Sequence, residues 1–301
     1  MNGRAEAPGS ERSAVGLLLL GGVIISFSAV FVKIVEVGPT AAGVYRNLFG
    51  GVALLPFVVM RRESMWRGAR PFAWALLAGA LFATDIFFWH RSILYIGPGL
   101  ATILGNFQVF VLAVVGVVVF RETAGWRFVS SIPLAFLGLF LLVGVDWGSL
   151  DASARIGVGY GLATAACYAG YLLTLRYAQR SSPRLSAMSN LAQISLITAA
   201  ILVGIAIVEG SDLRIPDRKS WVVLISYGVL CQALGWVIIS NALRRTDASR
   251  AGLLLLLQPA LTFVWDVLFF GRPTAPVELL GAVIALFAIY LGATRRRTSV
   301  A

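Results

Sequence analysis

The sequence predicts an all-α membrane protein of ten transmembrane helices, arranged as two inverted five-helix repeats with both termini in the cytoplasm. Three observations predict it: apolar runs of spanning length, basic residues confined mainly to alternate loops, and an internal echo at a spacing of 150 residues. The 301 residues are 58% hydrophobic and only 13% charged, with a mean hydropathy of +0.85. A soluble domain is typically about one quarter charged.

A spanning helix needs roughly 20 mostly apolar residues. In order, the runs are Ala14–Val35, Thr40–Met60, Phe72–Leu94, Leu100–Phe120, Phe128–Val145, Ile156–Tyr177, Leu185–Val208, Trp221–Leu243, Ala251–Phe270 and Val277–Ala293. The first run follows a charged start and continues to Val35 without a small-residue cleavage site, so it reads as an uncleaved helix. Gly97-Pro98-Gly99 reads as a tight turn between the third and fourth spans. Residues 1–13 and 294–301 read as polar tails, 14–145 and 156–293 as the two repeats, and 146–155 as their linker.

The formal charge of +11 requires no nucleic-acid partner, because its distribution explains it. With the N-terminus inside, the cytoplasmic loops hold Arg61, Arg62, Arg67 and Arg70, then Arg121 and Arg127, then Arg176, Arg180 and Arg184, then Arg244, Arg245 and Arg250. The outer loops hold fewer cations, diluted by Asp146, Asp151, Glu209, Asp212 and Asp217. This is the positive-inside pattern. Cys167 and Cys231 lie within spans and read as small apolar core residues.

The echo aligns the fourth span with the ninth: Ala101 with Ala251, Leu104 with Leu254, Gln108 with Gln258, Val114 with Val264 and Phe120 with Phe270. Five spans per half is an odd number, so the second half enters the membrane upside down relative to the first. Inverted repeats of this kind are a transporter architecture, since two pseudo-symmetric halves can exchange roles as a site opens to one side and then the other.

The stretches "GLLLLGGVIISFSAVFVKIV", "GPTAAGVYRNLFGGVALLPFVVMRR" and "WHRSILYIGPGLATILGNFQVFVLAVVGVVVFRE", with its echo "NALRRTDASRAGLLLLLQPALTFVWDVLFFGR", resemble the drug/metabolite transporter superfamily, specifically its ten-helix EamA-type members. The resemblance covers nearly the whole chain. It implies that the first, third, fourth, sixth, eighth and ninth helices surround a central cavity, with the fifth and tenth toward the periphery. The echo departs from the usual family form in having Gln258 near a position that is commonly acidic.

Ionisable residues inside a span are costly and mark a partner, a cavity or water. Arg46 lies about 10 Å below the outer end of the second span at 1.5 Å per residue, and Asp85 lies at a similar depth in the third. Two readings stand for this pair: a buried ion pair fixing two helices, or an Asp85 that meets a substrate amine or takes part in proton coupling. His90, the chain's only His, is about 140° from Asp85 around a straight helix, so the two should not share a face, whereas Trp89 should share it. His90 is either an interfacial polar residue or a proton-sensing one. Asn106 and Gln108 are about 200° apart, so one amide at most should face the cavity. Gln258 and Trp265 share a face of the ninth span, with Asp266 about 80° off it. Tyr168 and Tyr171 share a face of the sixth, and Gln232 and Trp236 a face of the eighth. Such an aromatic and amide lining suits a small organic ligand.

The expected function is secondary transport of small organic metabolites, with export of amino acids or related compounds first. Efflux of drugs or nucleobases, an intramembrane enzyme, and a non-transporting receptor are the alternatives. A single His, no nucleophile elbow and no Asp-rich cluster argue against an enzyme and a metal site, and no P-loop supports direct ATP use. No cofactor is expected. The expected partners are the small-molecule substrate, protons as a candidate coupling ion, and the lipids of a bacterial inner membrane.

Overall fold

The computed structural model describes residues 8–66, 68–122, 125–143, 153–181, 186–271 and 274–293, with side chains for all of these except 8–12, 97–100, 142, 143, 181, 266 and 293. Most of both tails, most of the linker and the side chain of Asp266 lie outside the described residues. Among the described residues every regular element is a helix. Eight helices are long and apolar enough to cross a membrane, and two shorter apolar helices cover Trp126–Leu141 and Pro276–Gly292.

The first apolar run is two helices. α1 (Pro8–Ser26) and α2 (Ser28–Ile34) meet at Phe27. α3 (Pro39–Met60) opens on a proline, whose missing N–H costs nothing in the first turn. α4 runs from Ala69 to Gly105, so the predicted Gly97-Pro98-Gly99 turn is itself helical. The chain nevertheless doubles back within α4. A Cβ on Gly161, in α7 (Ala154–Ser181), would lie 2.7 Å from Leu104 Cβ and 3.1 Å from Ser92 Oγ. A straight helix would hold those two residues about 18 Å apart. The small residues Gly157 and Gly161 thus admit both arms of α4 against one face of α7.

α5 (Gln108–Val118) follows a break at Asn106 and Phe107, and α6 (Trp126–Val143) follows it. α8 spans Ala187–Glu209. The eighth apolar run is α9 (Arg218–Ser226), a π-helix over Tyr227–Gly235, and α10 (Trp236–Leu243). The ninth run is α11 (Ala248–Leu255) and α12 (Leu257–Phe270), broken at Leu256, and α13 (Pro276–Ala293) ends the bundle. The breaks at Asn106 and Leu256 lie 150 positions apart, the spacing of the sequence echo.

α4 packs along α7, α3 along α8, and α6 along α13. The last pair is close because Gly138 leaves no room: a Cβ there would strike the Ala285 backbone nitrogen and come within 2.7 Å of the Gly281 carbonyl. Val59, Met60, Leu94, Val118, Val208, Val283 and Tyr290 are exposed, as a bundle in lipid requires.

One end of the bundle is tied shut. The Glu122 carboxylate accepts from Arg176 Nη2 at 2.8 Å, from the amides of Ala248 and Ser249 at 2.9 and 3.2 Å, and from Ser249 Oγ at 2.9 Å. Asp247, the N-cap residue of α11, makes no side-chain cap bond, so Glu122 caps the helix from a distant part of the chain. Above this tie, Tyr171, Leu172, Leu175, Ile239, Leu243 and Leu253 are buried.

Candidate functional site

Between the helices lies a cavity of about 560 Å³. It extends from Trp236 and Gln258 within the bundle to Lys33, Pro39 and Ile93 at helix ends on the face opposite Glu122. Near this mouth, Glu209 of α8 ion-pairs with Arg91 of α4 and accepts from Thr40 Oγ1 of α3 at 3.3 Å. The lining comes from the six runs that the resemblance implied, and also from the second, through Pro39, Ala42, Gly43 and Arg46. None of the lining belongs to α6 or α13.

Of the residues singled out in the sequence, Arg46, Asp85, Trp89, His90, Asn106, Tyr168, Trp236 and Gln258 line the cavity. Four others with described side chains do not. Gln108 is fully buried away from it, with neither amide atom hydrogen-bonded to protein. Tyr171 is packed beneath it, stacked on Phe82 with ring centroids 4.5 Å apart. Trp265 turns to α1 and α2, stacking on Phe27 at 4.6 Å and donating to Ser26 Oγ at 2.7 Å. Gln232 stands behind Arg46. Asp85 and His90, about 140° apart around a straight helix, both reach the cavity. The α4 stripe of Phe82, Asp85, Ile86, Trp89 and Ile93 is broad, and His90, one turn beyond Ile86, flanks it.

Of the two readings of Arg46 and Asp85, the direct ion pair is not formed among the described residues. Arg46 instead donates through Nε to Gln232 Oε1 at 2.9 Å and through Nη1 to Tyr227 Oη at 3.1 Å. Its guanidinium also lies 5.1 Å from the Tyr227 ring centre and 5.6 Å from that of Phe82. Tyr227 and Gln232 are five residues apart, a spacing that puts side chains about 140° apart on an α-helix. In a π-helix the bonds run from i to i+5, so such residues stack on one side. The π-helix over Tyr227–Gly235 is therefore what lets both grip one guanidinium. Gln232 Nε2 donates onward to Ser195 Oγ at 3.0 Å, linking α3, the π-helix and α8. The Asp85 carboxylate makes no hydrogen bond or salt bridge among the described residues, although the residue is only 9% exposed.

Tyr227 was not singled out in the sequence, since an α-helical face containing Gln232 and Trp236 excludes it. Ser26 and Ser28 also line the cavity; small hydroxyls in an apolar run are too common to carry a signal. Among the described residues no cluster of His, Cys, Asp and Glu is suited to hold a metal ion.

A helical bundle with an apolar exterior and a solute-sized cavity is the architecture of a polytopic membrane protein. The sequence profile of the EamA-like transporter family matches residues 12–144 and again 155–294, and the chain belongs to that family. It is a transporter by that membership. An uncharacterized transporter from Synechocystis sp. is 24% identical over 94% of this chain and 85% of its own length. The threonine/homoserine exporter RhtA of Salmonella typhimurium is 31% identical over 54% of this chain, and the match spans about half of that relative, 53%. RhtA of Escherichia coli K12 is 30% identical over the same shares. A solved crystal structure 15% identical to this chain shares its fold, with a TM-score of 0.80 over 93% of this chain and 98% of the other.

Proposed function

We propose that this protein is a secondary transporter that exports amino acids or closely related metabolites across a bacterial inner membrane by alternating access. The observation that carries this reading is the cavity itself. It reaches helix ends on one face, is closed by packed core and the Glu122 tie on the other, and is lined by an arginine and an aspartate, Arg46 and Asp85, that form no ion pair with each other. In this reading ten helices cross the membrane with both termini cytoplasmic, residues 14–145 and 156–293 are inverted repeats, and the cavity faces outward. The double match of the family profile and the paired helix breaks support the repeats. The RhtA relatives support amino acids as cargo, threonine and homoserine first.

The test is counterflow of labelled L-threonine and L-homoserine into proteoliposomes. Saturable flux is expected, and Asp85→Asn is expected to lower it about tenfold or more, the loss of one charged contact. Protein that is folded by melting temperature yet moves no amino acid above empty vesicles would sink the reading.

A further inference from the structure

We propose that the cavity is a zwitterion site, in which Arg46 receives the carboxylate of an α-amino acid and Asp85 receives its ammonium group. The inference deepens the transport reading above and rests on it.

The geometry begins with Arg46. A guanidinium has five N–H donors in a planar fork, and two of these are spent on Gln232 and Tyr227. Those two contacts fix the plane of the fork, and the side chain still lines the cavity. An arginine held in this way presents paired donors to a planar anion, the arrangement that carboxylates satisfy bidentately. Holding the fork in advance also lowers the ordering cost of binding.

Asp85 supplies the acidic group that would face the ammonium. The residue lines the same cavity, and its carboxyl has no hydrogen-bond or salt-bridge partner among the described residues, although burying an unpaired acid away from water is expensive. A purely structural carboxylate at this depth would have its cation beside it. Arg46 is the obvious candidate, but the π-helix holds it elsewhere. The separation suits a small ligand. Arg46 lies over Phe82, and Phe82 is three residues from Asp85, about 4.5 Å along the same face of α4. The guanidinium is thus near enough for one amino acid to bridge the charges, while the two side chains stay beyond the 4.0 Å of an ion pair. Trp89, Tyr168 and Trp236 offer the ligand's side chain an apolar surround.

The experiment uses the full-length protein in lipid nanodiscs. The twenty standard L-amino acids are ranked by thermal shift, and the tightest is titrated beside two half-molecules: its decarboxylated amine and the acid lacking its α-amino group. For threonine these are 1-amino-2-propanol and 3-hydroxybutyrate. Each half-molecule is expected to bind the wild type about tenfold or more weakly than the whole. Arg46→Gln is expected to weaken the amino acid and the acid but not the amine, and Asp85→Asn to weaken the amino acid and the amine but not the acid.

The proposal is overturned if none of the twenty shifts the melting temperature, if either half-molecule binds as tightly as the whole, or if both variants weaken all three ligands alike. The wild-type comparison requires no variant, so it decides the matter even where Arg46→Gln fails to fold. Saturable amino-acid flux with tight half-molecule binding would remove the zwitterion site and leave the transport reading standing. Selective zwitterion binding with no flux would do the reverse.

Discussion

Glu122→Ala is expected to lower the unfolding free energy by about 3–5 kcal/mol, the typical loss when one partner of a buried ion pair is removed. The side chains of Glu122 and Arg176 are only 7% and 4% exposed, so water does little to replace what is lost. The substitution strands the Arg176 guanidinium and also uncaps α11, whose first amides have no intrahelical acceptor and whose N-terminus carries partial positive charge. Gly116 belongs to the same device, since a Cβ there would collide with Glu122 Oε2 and come within 3.2 Å of Ser249 Cβ.

The acidity of Glu122 gives a second readout. Burial pushes the carboxyl up, but the Ala248 amide, the Arg176 charge, and the amide and hydroxyl of Ser249 outweigh it and hold the group below the usual carboxylate range. A carboxyl depressed by folding contributes its stabilisation fully above its unfolded value, about 4.3 for Glu, and loses it as pH falls through the lower folded value. The difference in melting temperature between wild type and Glu122→Gln is therefore expected to be constant above about pH 6 and to close in stronger acid. A difference that is unchanged on acidification would show that the charge contributes nothing.

Gly50→Val is expected to reduce transport by about a hundredfold, the scale of a misplacement of about 1 Å at a functional group. A Cβ at Gly50 would lie 2.5 Å from both Cβ and Cγ of Gln232 and 2.9 Å from the Gly228 carbonyl. Gly228 is equally tight: its own Cβ would lie 2.8 Å from Gly50 N and 3.1 Å from Arg46 O. These two glycines set how closely α3 meets the π-helix, and Gln232 is the residue displaced when they are parted. Overpacking typically costs 1–3 kcal/mol, so folded protein should still be recovered with its Arg46 clamp disrupted. Gly204→Ala, at a position inside α8 with nothing within 4 Å, is the control and should leave flux unchanged without lowering the melting temperature. Wild-type flux in Gly50→Val would refute the role assigned to the clamp.

The membrane class and the apolar runs were legible because they depend on composition and length, which survive without tertiary context. Arg46 and Asp85 were legible for a related reason: charge in hydrocarbon is rare enough to stand out singly. Their relation was not. Depth alone left open whether the two groups meet, and Arg46 is captured by Gln232 and Tyr227 from a segment, "YGVLCQALG", whose apolar pattern carries no sign of a π-helix. Helical-wheel arithmetic therefore misassigned Gln232 and passed over Tyr227. The corner of α4 was read as a loop because Gly and Pro signal a turn equally well whether or not helical bonding continues through it. The Glu122 cap was illegible on principle, since the acceptor and the helix it caps are 126 residues apart in the chain.

The interruptions at Asn106–Phe107 and at Leu256 bear on how the bundle bends. Around the first, Val109 and Phe110 donate to the carbonyls of Asn106 and Phe107, three residues back. Around the second, Leu256 donates to Leu253. Each joint already lacks part of the regular ladder, so flexing it breaks few bonds that a straight helix would have to surrender. Asn106 and Gln258 at these joints both line the cavity. Two compliant elbows in helices 150 positions apart would let the walls of the chamber pivot while the rods on either side stay rigid.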